Sequence, residues 1–316
     1  MALTLAQYAE WLSEQDIPWP TPPAPDPLRA KPSLPRLDDV RAVMWNVYGT
    51  LLNIFQGELL FEHPQDFIMT VALDKTIHQF KMWNSMSRKP GQPSEYMREI
   101  YNRVLLEHRS VGSGGERHPE ISSDKIWDGI IKKLFQKEYT FDAGFYGSLN
   151  EYAKKIAYFF HASMQGTAAY PGAAEAIRAV SAAGLNQGCI ADGQHFTLVQ
   201  LQRGVDEQES GLDLDELFGT GLAVISYDVR ARKPSETIFR AALKALSQQG
   251  IEPAETLYVG SHLTRDIAPA KKLGMRTALF AGDRHSLSAT AEQLKDANLR
   301  PDVLLTELPQ IAQVIG

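Results

Sequence analysis

The chain has 316 residues, 44% hydrophobic and 22% charged, which suits one or two soluble domains with a sizeable core. A formal net charge of −6 speaks against nucleic acid as the main partner. No stretch is apolar for long enough to span a membrane, and no basic segment leads into an apolar run at the N-terminus. Cys189 is the lone cysteine, so no intramolecular disulfide can form, and a cytoplasmic location is the expectation.

The spacing of Leu5, Tyr8 and Leu12 predicts a short amphipathic helix over Leu3 to Glu14. Eight prolines between Pro18 and Pro35 then favour an extended arm, because each removes a backbone donor and fixes φ. Such an arm either lies over its own core or docks a partner, for instance a second copy of the chain. The apolar run Arg41 to Trp45 reads as a buried strand that ends in the loop Asn46-Val-Tyr-Gly-Thr50. From about Gln56 to Gly166 the pattern is helical, with apolar residues at helical spacing over Ile68–Met82, Glu95–His108, Asp124–Phe135 and Leu149–His161. Gly112-Ser-Gly-Gly115 is a loop, and no strand precedes it to make it a phosphate cradle.

After Gly166 strands and helices alternate. Helices are predicted over Ala173–Ala183, Phe196–Arg203, Ser235–Gln249 and Asp266–Leu273. Strands are predicted over Gln187–Ala191, Leu222–Ser226, Thr256–Val259, Thr277–Phe280 and Val303–Leu305. This alternation predicts an α/β fold with a doubly wound parallel sheet, whose ligands bind at the C-terminal ends of the strands. The polar residues just after the apolar runs are therefore the site candidates: Asn46, Tyr48 and Thr50; Asp192 and Gly193; Arg232 and Lys233; Ser261, His262 and Asp266.

In order and setting these segments resemble the four motifs of the haloacid dehalogenase-like (HAD) hydrolase superfamily. Trp45-Asn-Val-Tyr-Gly-Thr-Leu-Leu52 is similar to motif I, Asp-x-Asp-Gly-Thr, or Asp-x-Tyr-Gly-Thr in dehalogenase-like members. Cys189-Ile-Ala-Asp-Gly193 stands for motif II, and Lys233-Pro-Ser-Glu-Thr-Ile-Phe239 for motif III. Val259-Gly-Ser-His-Leu-Thr-Arg-Asp266, followed by an alanine and Gly274-Met275, stands for motif IV. The resemblance implies a HAD core at 39–55 and 167–316, an inserted helical cap at 56–166, and an N-terminal helix and proline-rich arm at 1–38.

It also implies an aspartate nucleophile that forms an aspartyl ester, with Mg²⁺ held by the motif I and motif IV carboxylates in phosphatases. This sequence departs from that pattern. Asn46 stands at the nucleophile position, Tyr48 at the acid/base position, Ala191 where a hydroxyl is usual and Ser261 at a metal-ligand position, while Thr50, Lys233 and Asp266 are retained. No cofactor is expected. With so few hard anionic oxygens Mg²⁺ binds weakly if at all, Asp266 being its one remaining ligand.

The sequence thus predicts a HAD-like protein without aspartyl-nucleophile chemistry, a pseudoenzyme that binds a small anion at the core–cap cleft through Gly193, Arg232, Ser261 and His262. Two alternatives stand beside it: an active hydrolase of phosphatase or haloacid dehalogenase type in which Asp192 or an activated water replaces the nucleophile, and an interaction protein working through its arm and cap. Each candidate also has a plain structural reading. Lys233 pairs with Asp266, Thr50 caps its turn, Tyr48 fills space under the cap, Asp192 stabilises a turn, His195 and His262 pack in loops, and Arg232 points to solvent.

Overall fold

The computed structural model describes residues 1–86, 91–110 and 115–315. All but Gly115 of the glycine-rich loop at 112–115 lies outside the described residues. By contacts the chain divides into two units: Met1–Thr21, Leu60–Gly115 and Ile121–Gly166 form one, and Pro22–Leu59, Glu116–Glu120 and Thr167–Gly316 the other.

The second unit is built on a six-stranded parallel sheet: β1 (Ala42–Trp45), β4 (Asn186–Ala191), β5 (Ala223–Ile225), β6 (Thr256–Gly260), β7 (Arg276–Phe280) and β8 (Val303–Leu305). The order is β5-β4-β1-β6-β7-β8. β1, shielded on both sides by β4 and β6, is fully buried, which is why its sequence is an uninterrupted apolar run. Alternate side chains go to opposite faces. Ala42 and Met44 join Ile190, Phe239, Leu246 and Tyr258 in a core under the helix Glu236–Ser247. On the other face the Trp45 indole donates to Gln187 Oε1 (3.2 Å), and Gln187 in turn donates to the Ile177 carbonyl of the helix Ala173–Ala182 (3.0 Å). Helices on both faces with β1 central make the sheet doubly wound.

Two short strands escape the sequence reading, the antiparallel pair β2 (Leu52–Asn53) and β3 (Ala168–Ala169). Two residues are too few to show a period of two. Helix ends also shift by a few residues. The helix predicted over Asp266–Leu273 starts earlier, as a wide turn at Leu263–Ile267 that runs into Ala268–Lys272.

The first unit is helical: Leu5–Ser13, Asp66–Gln79, Pro93–Ser110, Ser123–Phe135, Ala143–Tyr146 and Leu149–Met164. Leu149–Met164 is its axis. It starts at a capping box between Ser148 and Glu151 and buries Tyr152, Ile156, Phe159, Phe160 and Met164 at helical spacing. Phe160 packs on Tyr101 and Trp127 with ring centroids 5.0 and 5.3 Å away. The sequence groups the N-terminal helix with the proline-rich arm at 1–38, apart from core and cap. The structure places it in the helical unit, because Tyr8 is fully buried against Trp11, Phe145 and Tyr146. The sequence also places 116–120 in the insertion, whereas this segment pairs with the loop before Lys233: Arg232 N donates to His118 O (2.7 Å) and Glu120 N to Arg230 O (3.2 Å). Glu116 accepts from Ser235 and Thr237 (2.8 Å each), placing a carboxylate at the N-terminus of Glu236–Ser247, where the helix dipole favours it.

The proline-rich arm runs over the core unit from Pro22 onward. Asp26 N donates to Asp283 (2.9 Å), Asn53 donates to the Pro23 carbonyl, and Ser33 forms an antiparallel bridge to Leu304 of β8. Among the described residues no helix is long and apolar enough to cross a membrane.

One position tests the packing of β4, whose end carries the Asp192 loop. A Cβ on Gly188 would strike the backbone and Cβ of Leu222, which leads into the edge strand β5. Gly188→Ala should lower stability by about 1–3 kcal/mol, read as a lower urea midpoint with unchanged m-value.

Candidate functional site

The ends of β1, β4 and β6 lie side by side, and the loop that follows β5 brings in Lys233. After β1 the chain turns within four residues. Thr50, Leu51 and Leu52 N–H groups all converge on the Val47 carbonyl (2.9–3.1 Å), and Gly49 takes φ +78°, the left-handed region. A Cβ at Gly49 would lie 2.9 Å from Gly57 O and 3.0 Å from Ser261 Oγ, so the turn after β1 presses on the loop after β6.

Lys233 is the centre of the site. Its side chain is 3% exposed, and its Nζ donates to Asn46 Oδ1 (2.8 Å), Tyr258 OH (3.0 Å) and Asp266 Oδ1 (2.5 Å). An ammonium has three donors, and here three acceptors take them. The second Asp266 oxygen accepts the backbone N–H groups of Ser261 (3.0 Å) and His262 (2.9 Å), so the carboxylate sets the shape of the loop after β6. The Tyr258 hydroxyl lies 3.0 Å from Ile190 O and 3.2 Å from Asp266 Oδ1, which ties β6 to β4.

Burial alone would raise the carboxyl pKa of Asp266. The charge and hydrogen bond of Lys233, the His262 N–H and then Arg265 outweigh it and hold the pKa below the usual carboxylate value. Burial first, and the Asp266 charge next, push Tyr258 far up, so its hydroxyl stays protonated. Burial and Arg265 push His262 down. Its neutral Nδ1 accepts the Arg265 N–H (3.3 Å).

Asn46 is 6% exposed and held at both ends of its amide. Its Oδ1 accepts from Lys233, while its Nδ2 donates to the Tyr48 carbonyl (2.7 Å) and lies 3.4 Å from Thr50 Oγ1. The Tyr48 hydroxyl donates to Gln200 Oε1 (2.5 Å) and sits 3.2 Å from Thr197 Oγ1, both at the start of the helix after the Asp192 loop. Asp192 accepts the Lys233 backbone N–H (2.8 Å), joining the β4 loop to the lysine loop. Gly193 N donates to Ser226 Oγ (2.8 Å), and Ser226 in turn donates to Glu120.

The sequence points Arg232 to solvent. The structure turns it inward, its Nε 3.7 Å from Glu120, because the strap at 116–120 brings that carboxylate alongside. The His195 ring packs on Phe196 and Tyr227. Asn46, Lys233, Ser261, His262 and Asp266 therefore form one cluster, with Tyr48, Thr50 and Asp192 at its edge, and Gly193 and Arg232 in a neighbouring network around Glu120.

Sequence reasoning missed three residues here. Tyr258 hides in an apolar strand, although a buried tyrosine needs a partner for its hydroxyl, and that was the available signal. Ser226 ends the strand predicted over Leu222–Ser226 and so met the strand-end rule. Glu120 carried no signal, since only the fold brings its segment back to the core.

The residues at the strand ends do not suit Mg²⁺. They offer two carboxylates: both oxygens of Asp266 already accept hydrogen bonds, and one oxygen of Asp192 accepts the Lys233 backbone N–H. The amide oxygen of Asn46 is neutral, and a lysine ammonium lies within 2.8 Å of the Asn46 and Asp266 oxygens where a dication would have to sit. No group of three or more His, Cys, Asp or Glu side chains suited to a metal occurs among the described residues.

Comparison with known proteins places this arrangement. A family model described as haloacid dehalogenase-like hydrolase matches residues 41–274, and the chain belongs to that family. Among curated relatives, a protein of Pyrococcus furiosus named glyceraldehyde 3-phosphate phosphatase is 31% identical over 145 residues, 46% of this chain and 53% of that one. A protein of the same name from Methanocaldococcus jannaschii is 32% identical over 112 residues, 34% of this chain and 42% of that one. The chain thus spans about half the length of the curated relatives it matches. The solved 2-haloacid dehalogenase of Pseudomonas syringae pv. Tomato shares the fold, with TM-score 0.52 at 18% identity, over 86% of this chain and 96% of that one.

Removing the lysine charge tests the cluster. Lys233→Met leaves the Asp266 carboxylate buried without its counter-ion and should cost about 3–5 kcal/mol in chemical denaturation. The pH dependence gives the sign. Because Asp266 is held below its ordinary value of 3.8, its contribution is complete above that value and is lost as pH falls through the lowered folded value. In Lys233→Met burial dominates, the folded pKa rises, and this acid-side loss should vanish.

Proposed function

We propose that this chain is a HAD-family protein that has given up aspartyl-ester turnover and holds a small anionic molecule at its strand-end site without cleaving it. One observation carries the reading: the side chain at the head of β1 is the amide of Asn46, locked between the Lys233 ammonium and the Tyr48 carbonyl. A carboxylate attacks with a charged oxygen and forms an ester that water can clear. The Asn46 oxygen is uncharged, and it already accepts a hydrogen bond from Lys233. Ala191 supplies no hydroxyl to grip a transferred group, and the hydroxyl of Ser261 is no substitute for a metal-binding carboxylate.

Binding remains within reach. Two of the three acceptors on Lys233, Asn46 Oδ1 and Tyr258 OH, are neutral, so an incoming anion would displace a neutral partner while Asp266 keeps the charge pair. The pair is formally neutral, which makes the expected affinity modest. A cytoplasmic setting fits this reading.

A second reading, hydrolysis by a modified route, has one observation in its favour. Asp192 keeps a partly exposed carboxylate on the loop after β4, with one oxygen on the Lys233 N–H. The phosphatase names of the relatives belong with this reading. A panel of phosphate monoesters and 2-haloacids, assayed with Mg²⁺, separates the two. The natural chain should show no turnover above an Asn46→Ala control, and mass spectrometry should find no covalent adduct at residue 46. Turnover tenfold above that control, abolished in Asp192→Ala, would replace the first reading with the second.

A further inference from the structure

In a parallel sheet all strands end on one edge and begin on the other. Asn46 and the lysine cluster occupy the ending edge. At the beginning edge of β7 and β8 lies an open groove of about 610 Å³, within the roughly 300–1,000 Å³ of small-molecule sites. Arg276, the first residue of β7, lines it together with Lys271 from the preceding helix and Arg300 from the loop before β8. Among the described residues neither guanidinium has an ion-pair partner. Among the described residues Lys271 Nζ donates to the neutral Arg300 carbonyl (2.6 Å) and to no carboxylate.

The acid in the groove, Asp302, has one oxygen on Thr277, accepting its N–H (2.8 Å) and its hydroxyl (2.9 Å). Three cations against one carboxylate leave an excess charge of about +2. Apolar surface completes the groove: Leu304 and Leu294, which pack on the small core around Leu279, and Leu37 from the end of the arm. The arm is fixed there by the Ser33 bridge to Leu304 and by Leu37 N, which donates to Val314 O (2.8 Å).

We propose that this groove binds a small organic phosphate, with Arg276, Arg300 and Lys271 facing the phosphate and the leucines facing an apolar body. The excess charge matches a phosphate dianion and exceeds what a monocarboxylate can neutralise. Arginine forks suit phosphate oxygens. A bare phosphate would leave most of the groove empty, which is the reason for assigning an organic ester. The site is separate from the strand-end cluster and does not rest on whether that cluster binds or cleaves.

The test is isothermal titration of the full chain with phenyl phosphate, with benzoate as the monoanion control. At least one equivalent should bind, and benzoate should bind at least tenfold more weakly. The Arg276→Gln/Arg300→Gln double variant should lose at least tenfold in affinity. Arg300→Gln alone, at an exposed loop position whose guanidinium pairs with nothing among the described residues, should lose at least threefold. Arg178→Gln, which removes an exposed cation outside the groove, should stay within twofold of the natural chain. Unchanged affinity in Arg300→Gln and in the double variant, an equal loss in Arg178→Gln, or no binding by the natural chain at millimolar phenyl phosphate would each overturn the assignment.

Discussion

The ammonium of Lys233 enters a space with almost no water, and it is tolerable there because Asp266 lies 2.5 Å away and two neutral oxygens complete its shell. A buried charge pair is seldom a large net gain over apolar packing, but it punishes the loss of either member. The consequence is geometric. Asp266 fixes the loop after β6 through two backbone N–H groups, Tyr258 ties that strand to β4, Asn46 ties in the turn after β1, and the lysine backbone reaches the Asp192 loop. One cation therefore sets the register of every loop that could form a site.

In that setting an amide at position 46 is compatible with the fold, and on the reading proposed above it is unsuited to the chemistry. Had a carboxylate stood there, Lys233 would face two negative groups and the cluster would carry a net charge of −1, which invites a dication. With the amide the charges cancel and the hydrogen bonds close on themselves. On that reading, one side chain bears on both the nucleophile and the electrostatic reason for a metal, which in the sequence look independent.

Much of this was legible in the chain. Fully apolar runs such as Ala42–Trp45 mark strands buried on both faces, and polar residues directly after them mark the site. Four such ends in the right order define the family. What was not legible depends on distant contacts. Tyr258 looks like one more apolar residue until its hydroxyl is seen between Lys233 and Ile190. Glu120 reads as part of a helical insertion until backbone pairing with Arg230 and Arg232 returns it to the core. The turn Leu263–Ile267 is set by an aspartate folding back on its own loop, which periodicity does not reveal. The antiparallel pair β2 and β3 is too short to have a pattern at all.

The bridge between Ser33 and Leu304 bears on how the molecule behaves in company. β8 is an edge strand of three residues, and alternate residues of a strand aim their peptide groups to opposite sides. Leu304 is the one whose N–H and C=O face outward, and Ser33 takes both, at 2.9 and 3.0 Å. An open edge is where a neighbouring chain can add a strand and seed insoluble assemblies. The proline-rich arm seals that edge with a segment poor in backbone donors, so the seal offers little to a further strand. Clipping it off would trade a covered edge for an adhesive one.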